Sequence, residues 1–130
     1  MRKGEKILVT KLEFNYDAKQ NKISEKYYKT KKGAEIPMWR YSYEYDEKNN
    51  LTAYTYYQIK RGKEIPTSIH KFLYNEENKC VQRMYYKIEN NIKSLFWRCE
   101  YEYDNENNQT FAKIYEFQNG EEILKSQTKF

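Results

Sequence analysis

Every 29 residues the chain repeats itself, and a fixed period in this range restricts it to a repeat array. Phe14, Tyr43, Phe72 and Tyr101 open four copies, at 14–42, 43–71, 72–100 and 101–129. Each is followed two residues later by Tyr16, Tyr45, Tyr74 or Tyr103, and then by Asp17, Asp46, Asn75 or Asp104. Gly4, Gly33, Gly62 and Gly120 share another column, with Asn91 in it for the third copy, and partial copies stand at both ends. At 130 residues the chain is one domain, 1–130, whose units cannot fold alone.

Each copy reads as two strands and two turns. Residues 5–16 read as a strand, with Ile7, Leu8, Val9, Leu12, Phe14 and Tyr16 β-branched, aliphatic or aromatic and without helical spacing. Asp17–Asn21, Asp46–Asn50, Asn75–Lys79 and Asp104–Asn108 are Asx-rich, and Asx side chains cap turns. Return strands are expected near 22–31, 51–60, 80–89 and 109–118, ending at Lys32-Gly33, Arg61-Gly62, Asn90-Asn91 and Asn119-Gly120, the last of which is the strongest type I′ hairpin signal. The expected fold class is all-β, an antiparallel meander of about nine strands without helix.

Two-residue Gly turns would set Tyr57 opposite Pro66, and five-residue Asp loops would set Tyr57 beside Trp39. One face would then collect Phe14, Tyr43, Phe72 and Tyr101, Tyr16 and its column, Tyr28, Tyr57, Tyr86 and Tyr115, Leu8, Pro37, Pro66, Leu95 and Leu124, with Trp39 and Trp97. This face is expected to be concave and to form the core of a curled sheet or half-barrel, with a closed barrel as the alternative. A one-residue shift at the Asp loop would turn half of these side chains over. Pro37 and Pro66, without an N–H for the ladder, belong near a strand start or a bulge.

Residues that break their column are where catalysis would show. His70 stands where the other copies have Leu12, Tyr41, Cys99 and Thr128. No acid or thiol lies at triad or ligand spacing from it, so it reads as a tolerated inward side chain. Cys80 and Cys99, expected to lie diagonally with Cys99 opposite Gln82, read as free thiols of a reducing compartment. The expectation is no enzyme, no cofactor and no metal.

The segments FNYDAKQNKI and YEYDEKNNLT resemble the YD repeats of bacterial Rhs-type proteins and, more loosely, MORN-variant tandem β-hairpin repeats. The unit is longer than the usual YD unit, and Asn49, Asn78 and Asn107 stand where that family has glycine. The resemblance implies β-hairpin architecture and no catalytic residue.

With 24 Lys+Arg against 19 Asp+Glu, the charge permits a polyanion partner, but the signs are interspersed. No signal peptide or membrane span is readable, so a cytoplasmic protein is expected. The first functional expectation is an intracellular protein-binding module that covers a partner's surface, for instance a phage- or mobile-element-encoded inhibitor such as an anti-CRISPR protein. A second is an RNA- or DNA-binding sheet, from the aromatic and basic runs Trp39-Arg40-Tyr41 and Trp97-Arg98. A third is a fragment or relative of a surface-exposed YD-repeat array. The partner surface is expected on the outer face, where Tyr27, Tyr56 and Tyr85 stand beside Ile7, Ile36 and Ile65 and Val9, Met38 and Phe96, bordered by Arg40 and Arg98. The apolar first strand, Lys6–Tyr16, is the expected edge for a homodimer, because lysines blunt the last strand, Glu121–Phe130.

Overall fold

The computed structural model describes residues 10–130. Nine antiparallel strands follow one another across one sheet in chain order: β1 (Thr10–Tyr16), β2 (Lys22–Lys31), β3 (Ala34–Tyr45), β4 (Leu51–Lys60), β5 (Lys63–Tyr74), β6 (Cys80–Glu89), β7 (Ile92–Tyr103), β8 (Gln109–Gln118) and β9 (Glu121–Lys129). β1 and β9 do not pair with each other, so the sheet is open and the barrel alternative is excluded for the described residues.

The turn columns explain the reversals. At Lys32-Gly33, Arg61-Gly62, Asn90-Asn91 and Asn119-Gly120 both central residues have φ between 50° and 81°, the type I′ conformation whose twist matches that of the strands. In the Asp loops the Asp17 Oδ1 accepts the backbone N–H groups of Lys19 and Asn21 at 2.8 and 2.9 Å. Asp46, Asn75 and Asp104 do the same in their copies. Gln20, Asn49, Asn78 and Asn107 occupy the left-handed region at φ 62–68°, which asparagine tolerates in place of glycine. Consecutive loops are also tied together. Asn21 Nδ2 donates to Asn49 Oδ1, and Asn50 Nδ2 to Asn78 Oδ1, each at 3.0 Å.

The tyrosine before each loop after the first fastens one copy to the next. The hydroxyls of Tyr45, Tyr74 and Tyr103 donate to the carbonyls of Lys22, Leu51 and Cys80 at 2.8, 2.6 and 2.7 Å, each 23 residues back. This explains why tyrosine, and not phenylalanine, holds this column.

Every hairpin also carries a β-bulge, and the bulges correct the expected faces. Ile23, Thr52, Val81 and Thr110 are the extra residues after the Asp loops, and Met38, Thr67, Phe96 and Lys125 those after the Gly turns. Tyr57 does lie opposite Pro66, and Pro37 and Pro66 do stand beside bulges. Across the Asp-loop hairpin, however, Tyr57 meets Arg40, while Trp39 meets Gln58. The single face expected for the aromatic columns is therefore split. Phe14, Tyr43, Phe72, Tyr101, Trp39 and Trp97 share their face with Tyr27, Tyr56 and Tyr85, whereas Tyr28, Tyr57, Tyr86 and Tyr115 lie on the other with Pro37, Pro66, Leu95 and Leu124.

Neither face becomes a core. The described residues form a single-layer sheet, and none of their side chains is fully buried; Ala53, Thr55 and Ile59 are buried on one face and Cys99 on the other. Stability must come from cross-strand ladders, each pair contributing about 0.2–1 kcal/mol.

Candidate binding faces

One face is aromatic. Tyr27 stacks on Trp39 with centroids 5.1 Å apart, and Tyr85 on Trp97 at 5.7 Å. Tyr41, Tyr43, Tyr54 and Tyr56 pack between them at 5.0–6.2 Å. His70 bridges the two groups, stacked on Tyr54 at 4.5 Å and against Tyr85 at 4.8 Å. Burial, and then the Arg83 guanidinium, push the His70 pKa down, so the ring is neutral at pH 7. Burial likewise pushes the Tyr41, Tyr43 and Tyr101 hydroxyls up, keeping them as donors. Three cations stand among the rings: Lys22 lies 4.8 Å from the Tyr43 centroid, Arg83 lies 5.5 Å from Phe72 and 5.9 Å from Trp97, and Lys87 lies 4.6 Å from Phe96.

The opposite face is a ladder of ion pairs built on one tyrosine column. Lys11, Arg40 and Arg98 sit directly opposite Tyr28, Tyr57 and Tyr115 on the adjacent strands. Each cation covers its ring, at 4.7, 4.4 and 4.2 Å from the centroid, and then reaches a carboxylate one strand further on. Lys11 pairs with Glu35 at 2.9 Å, Arg40 holds Glu64 through two bonds of 2.9 Å, and Arg98 holds Glu122 at 2.6 and 2.8 Å. These bonds pull the Glu64 and Glu122 carboxyls below their usual range. Sequence reading missed this ladder. Its signal was present, because cation, tyrosine and glutamate recur at the same columns.

The expected partner residues divide between the faces. Tyr27, Tyr56, Tyr85, Ile36 and Ile65 lie on the aromatic face, and the Phe96 bulge turns onto it, its ring 6.2 Å from that of Tyr85. Ile36, Ile65, Met38 and Phe96 are exposed. Arg40 and Arg98 lie on the opposite face, inside the ladder and not at the rim of the stripe. Ile7 and Val9 fall outside the described residues, as does the 6–9 part of the expected edge Lys6–Tyr16, whose remainder is β1. Cys80 and Cys99 carry free thiols, and Cys99 lies opposite Arg83 instead of Gln82. Among the described residues no helix is long and apolar enough to cross a membrane.

No family model matches the chain, and no curated protein is similar to it. Solved structures share its fold. A protein of unknown function from Bacteroides fragilis is 15% identical with a TM-score of 0.73, over 93% of this chain and 91% of that one. A DUF3836 family protein from Bacteroides vulgatus is also 15% identical, with a TM-score of 0.60 over 71% of this chain and 97% of that one. At this identity the likeness is one of fold, and neither structure is described as a YD-repeat protein.

Proposed function

We propose that the chain is a non-catalytic protein-binding module whose aromatic face covers the surface of a partner. The observation that carries this reading is a one-layer sheet with Trp39, Trp97 and a field of tyrosines on a face that no second layer of the described residues covers. Aromatic residues are enriched at the buried centres of interfaces and dominate their hot spots. Support for the non-catalytic part comes from His70, which is enclosed by rings and whose Nδ1 has no hydrogen-bond partner among the described residues to orient it as a base. Capture of a partner from the native host, identified by mass spectrometry, tests the reading when repeated with Ile65→Ala/Phe96→Ala protein. Both side chains are exposed, so stability should barely change while capture falls at least tenfold; undiminished capture would remove the aromatic face from the interface.

Lys22 and Arg83 among the rings favour a second reading, single-stranded RNA or DNA stacked on this face. Binding of generic RNA that weakens steeply with salt would select it.

A further inference from the structure

We infer that the cluster around Tyr86, on the ion-pair face, receives a carboxylate side chain from a partner protein; this rests on the reading of the chain as a protein-binding module and adds a second contact on the face opposite the aromatic one. The sister clusters define what belongs there. In the first, Tyr28 is flanked by Glu13 and Glu35, with Lys11 over its ring. In the fourth, Arg98 covers Tyr115 and holds Glu100 at 2.9 Å as well as Glu122. Both are laid out as carboxylate, cation, carboxylate. At Tyr86 every sign is changed: the cation column holds Ile69, directly opposite the ring, and the two carboxylate columns hold Lys71 and Lys93.

The lysines converge on the ring that the sister cations cover. Lys93 Nζ lies 4.9 Å and Lys71 Nζ 5.6 Å from the Tyr86 centroid. Neither is ion-paired among the described residues. The carboxylates that precede and follow Lys93 in its column, Glu64 and Glu122, are held by Arg40 and Arg98. The tyrosine hydroxyl is also uncommitted. Tyr28 donates to Glu13 at 3.0 Å, whereas Tyr86 reaches only the Met84 sulfur at 3.5 Å, a weak acceptor. Two ammonium groups and a phenol thus surround the place that a cation fills in the sister clusters, and with the flanking charges reversed the group that complements them is an anion. Ile69, Met84 and Leu95 line it with apolar surface, which suits an Asp or Glu carried on a peptide better than a bare, strongly hydrated phosphate.

The test is a chemical-shift titration of isotope-labelled protein with a short Glu-containing peptide, the matched Gln peptide, inorganic phosphate and an oligouridylate. The Glu peptide should shift the amides of Lys71, Tyr86 and Lys93, and at least tenfold more weakly in Lys71→Gln/Lys93→Gln protein. A second variant, Ile69→Arg/Lys93→Glu, copies the Arg40 and Glu64 arrangement; it should fold as well as wild type or better and lose the peptide. Retained binding in either variant overturns the inference. So do equal responses to the Gln peptide or phosphate, or no response at about 10 mM peptide, ten times the dissociation constant of a weak millimolar site. A partner captured equally by wild type and Lys71→Gln/Lys93→Gln protein contradicts this inference and leaves the protein-binding reading standing; preference for the oligouridylate over every peptide contradicts both.

Discussion

The unit centred on β4 and the unit centred on β6 have the same strand lengths, turns, register and tyrosine columns, yet they differ at five other columns that stabilise the array. Around β4 stand Asp46, Asn50, Gly62, Arg40 and Glu64; around β6 the same columns hold Asn75, Lys79, Asn91, Ile69 and Lys93. The first set supplies a charged loop acceptor, an inter-loop amide bond, an unstrained turn and a bidentate ion pair. Lys79 cannot repeat the side-chain bond that Asn50 makes to the next loop, and Asn75 offers a neutral oxygen where Asp46 offers a charged one. Because backbone pairing fixes the fold locally in a quasi-one-dimensional array, one unit can lose these contacts while its neighbours hold the sheet. A unit released from this work is where a repeat protein can place a binding site.

Exchanging residues between the units tests this contrast. The largest effect is expected at the turns: Gly62 has φ +77°, and although nothing lies within reach of an added Cβ, Gly62→Ala should cost about 1–2 kcal/mol of left-handed strain. Asn91→Gly, at φ 66°, should gain only a few tenths. Urea denaturation measures both. Next comes the tyrosine column, where Tyr74→Phe, which removes the hydroxyl bond to the Leu51 carbonyl, should cost about 1 kcal/mol. Tyr16→Phe should be neutral, since Tyr16 is exposed and makes no such bond among the described residues. The smallest effect is the pH dependence. Backbone N–H donors, that of Asn50 foremost, hold the Asp46 carboxyl below its usual range. A depressed carboxyl stabilises the fold above its unfolded pKa, near 4, and that share is lost as pH falls through the folded value. Asp46→Asn should therefore shorten the acid limb of the stability curve, and Asn75→Asp should lengthen it. Unchanged acid limbs would show that the loop carboxylates do not contribute.

Much of this architecture was legible because the turn columns carry their chemistry in residue type. Asx residues and glycines fixed the ends of β2, β4, β6 and β8. The faces were not legible, because a bulge needs no special residue. Met38, Thr67, Phe96 and Lys125 share one bulge position and no chemical property. The other bulge did leave a trace, in the β-branched column Ile23, Thr52, Val81 and Thr110, where Thr52 and Thr110 bond the carbonyls of Glu44 and Glu102 at 3.2 Å. One residue of slip in each hairpin sent Tyr57 and Trp39 to opposite faces and hid the ion-pair ladder. Ile69, Lys71 and Lys93 each looked like ordinary drift; only side by side across β5, β6 and β7 do they form one inverted cluster.

Site-resolved amide hydrogen exchange tests most directly whether the β6 unit has given up what the β4 unit keeps. The amides of Asn78, Lys79 and Cys80 should exchange about an order of magnitude faster than those of Asn49, Asn50 and Leu51, because local opening there breaks a loop with a neutral cap and no bond onward to the next loop. Equal protection at the two loops, or slower exchange at 78–80, would contradict the account.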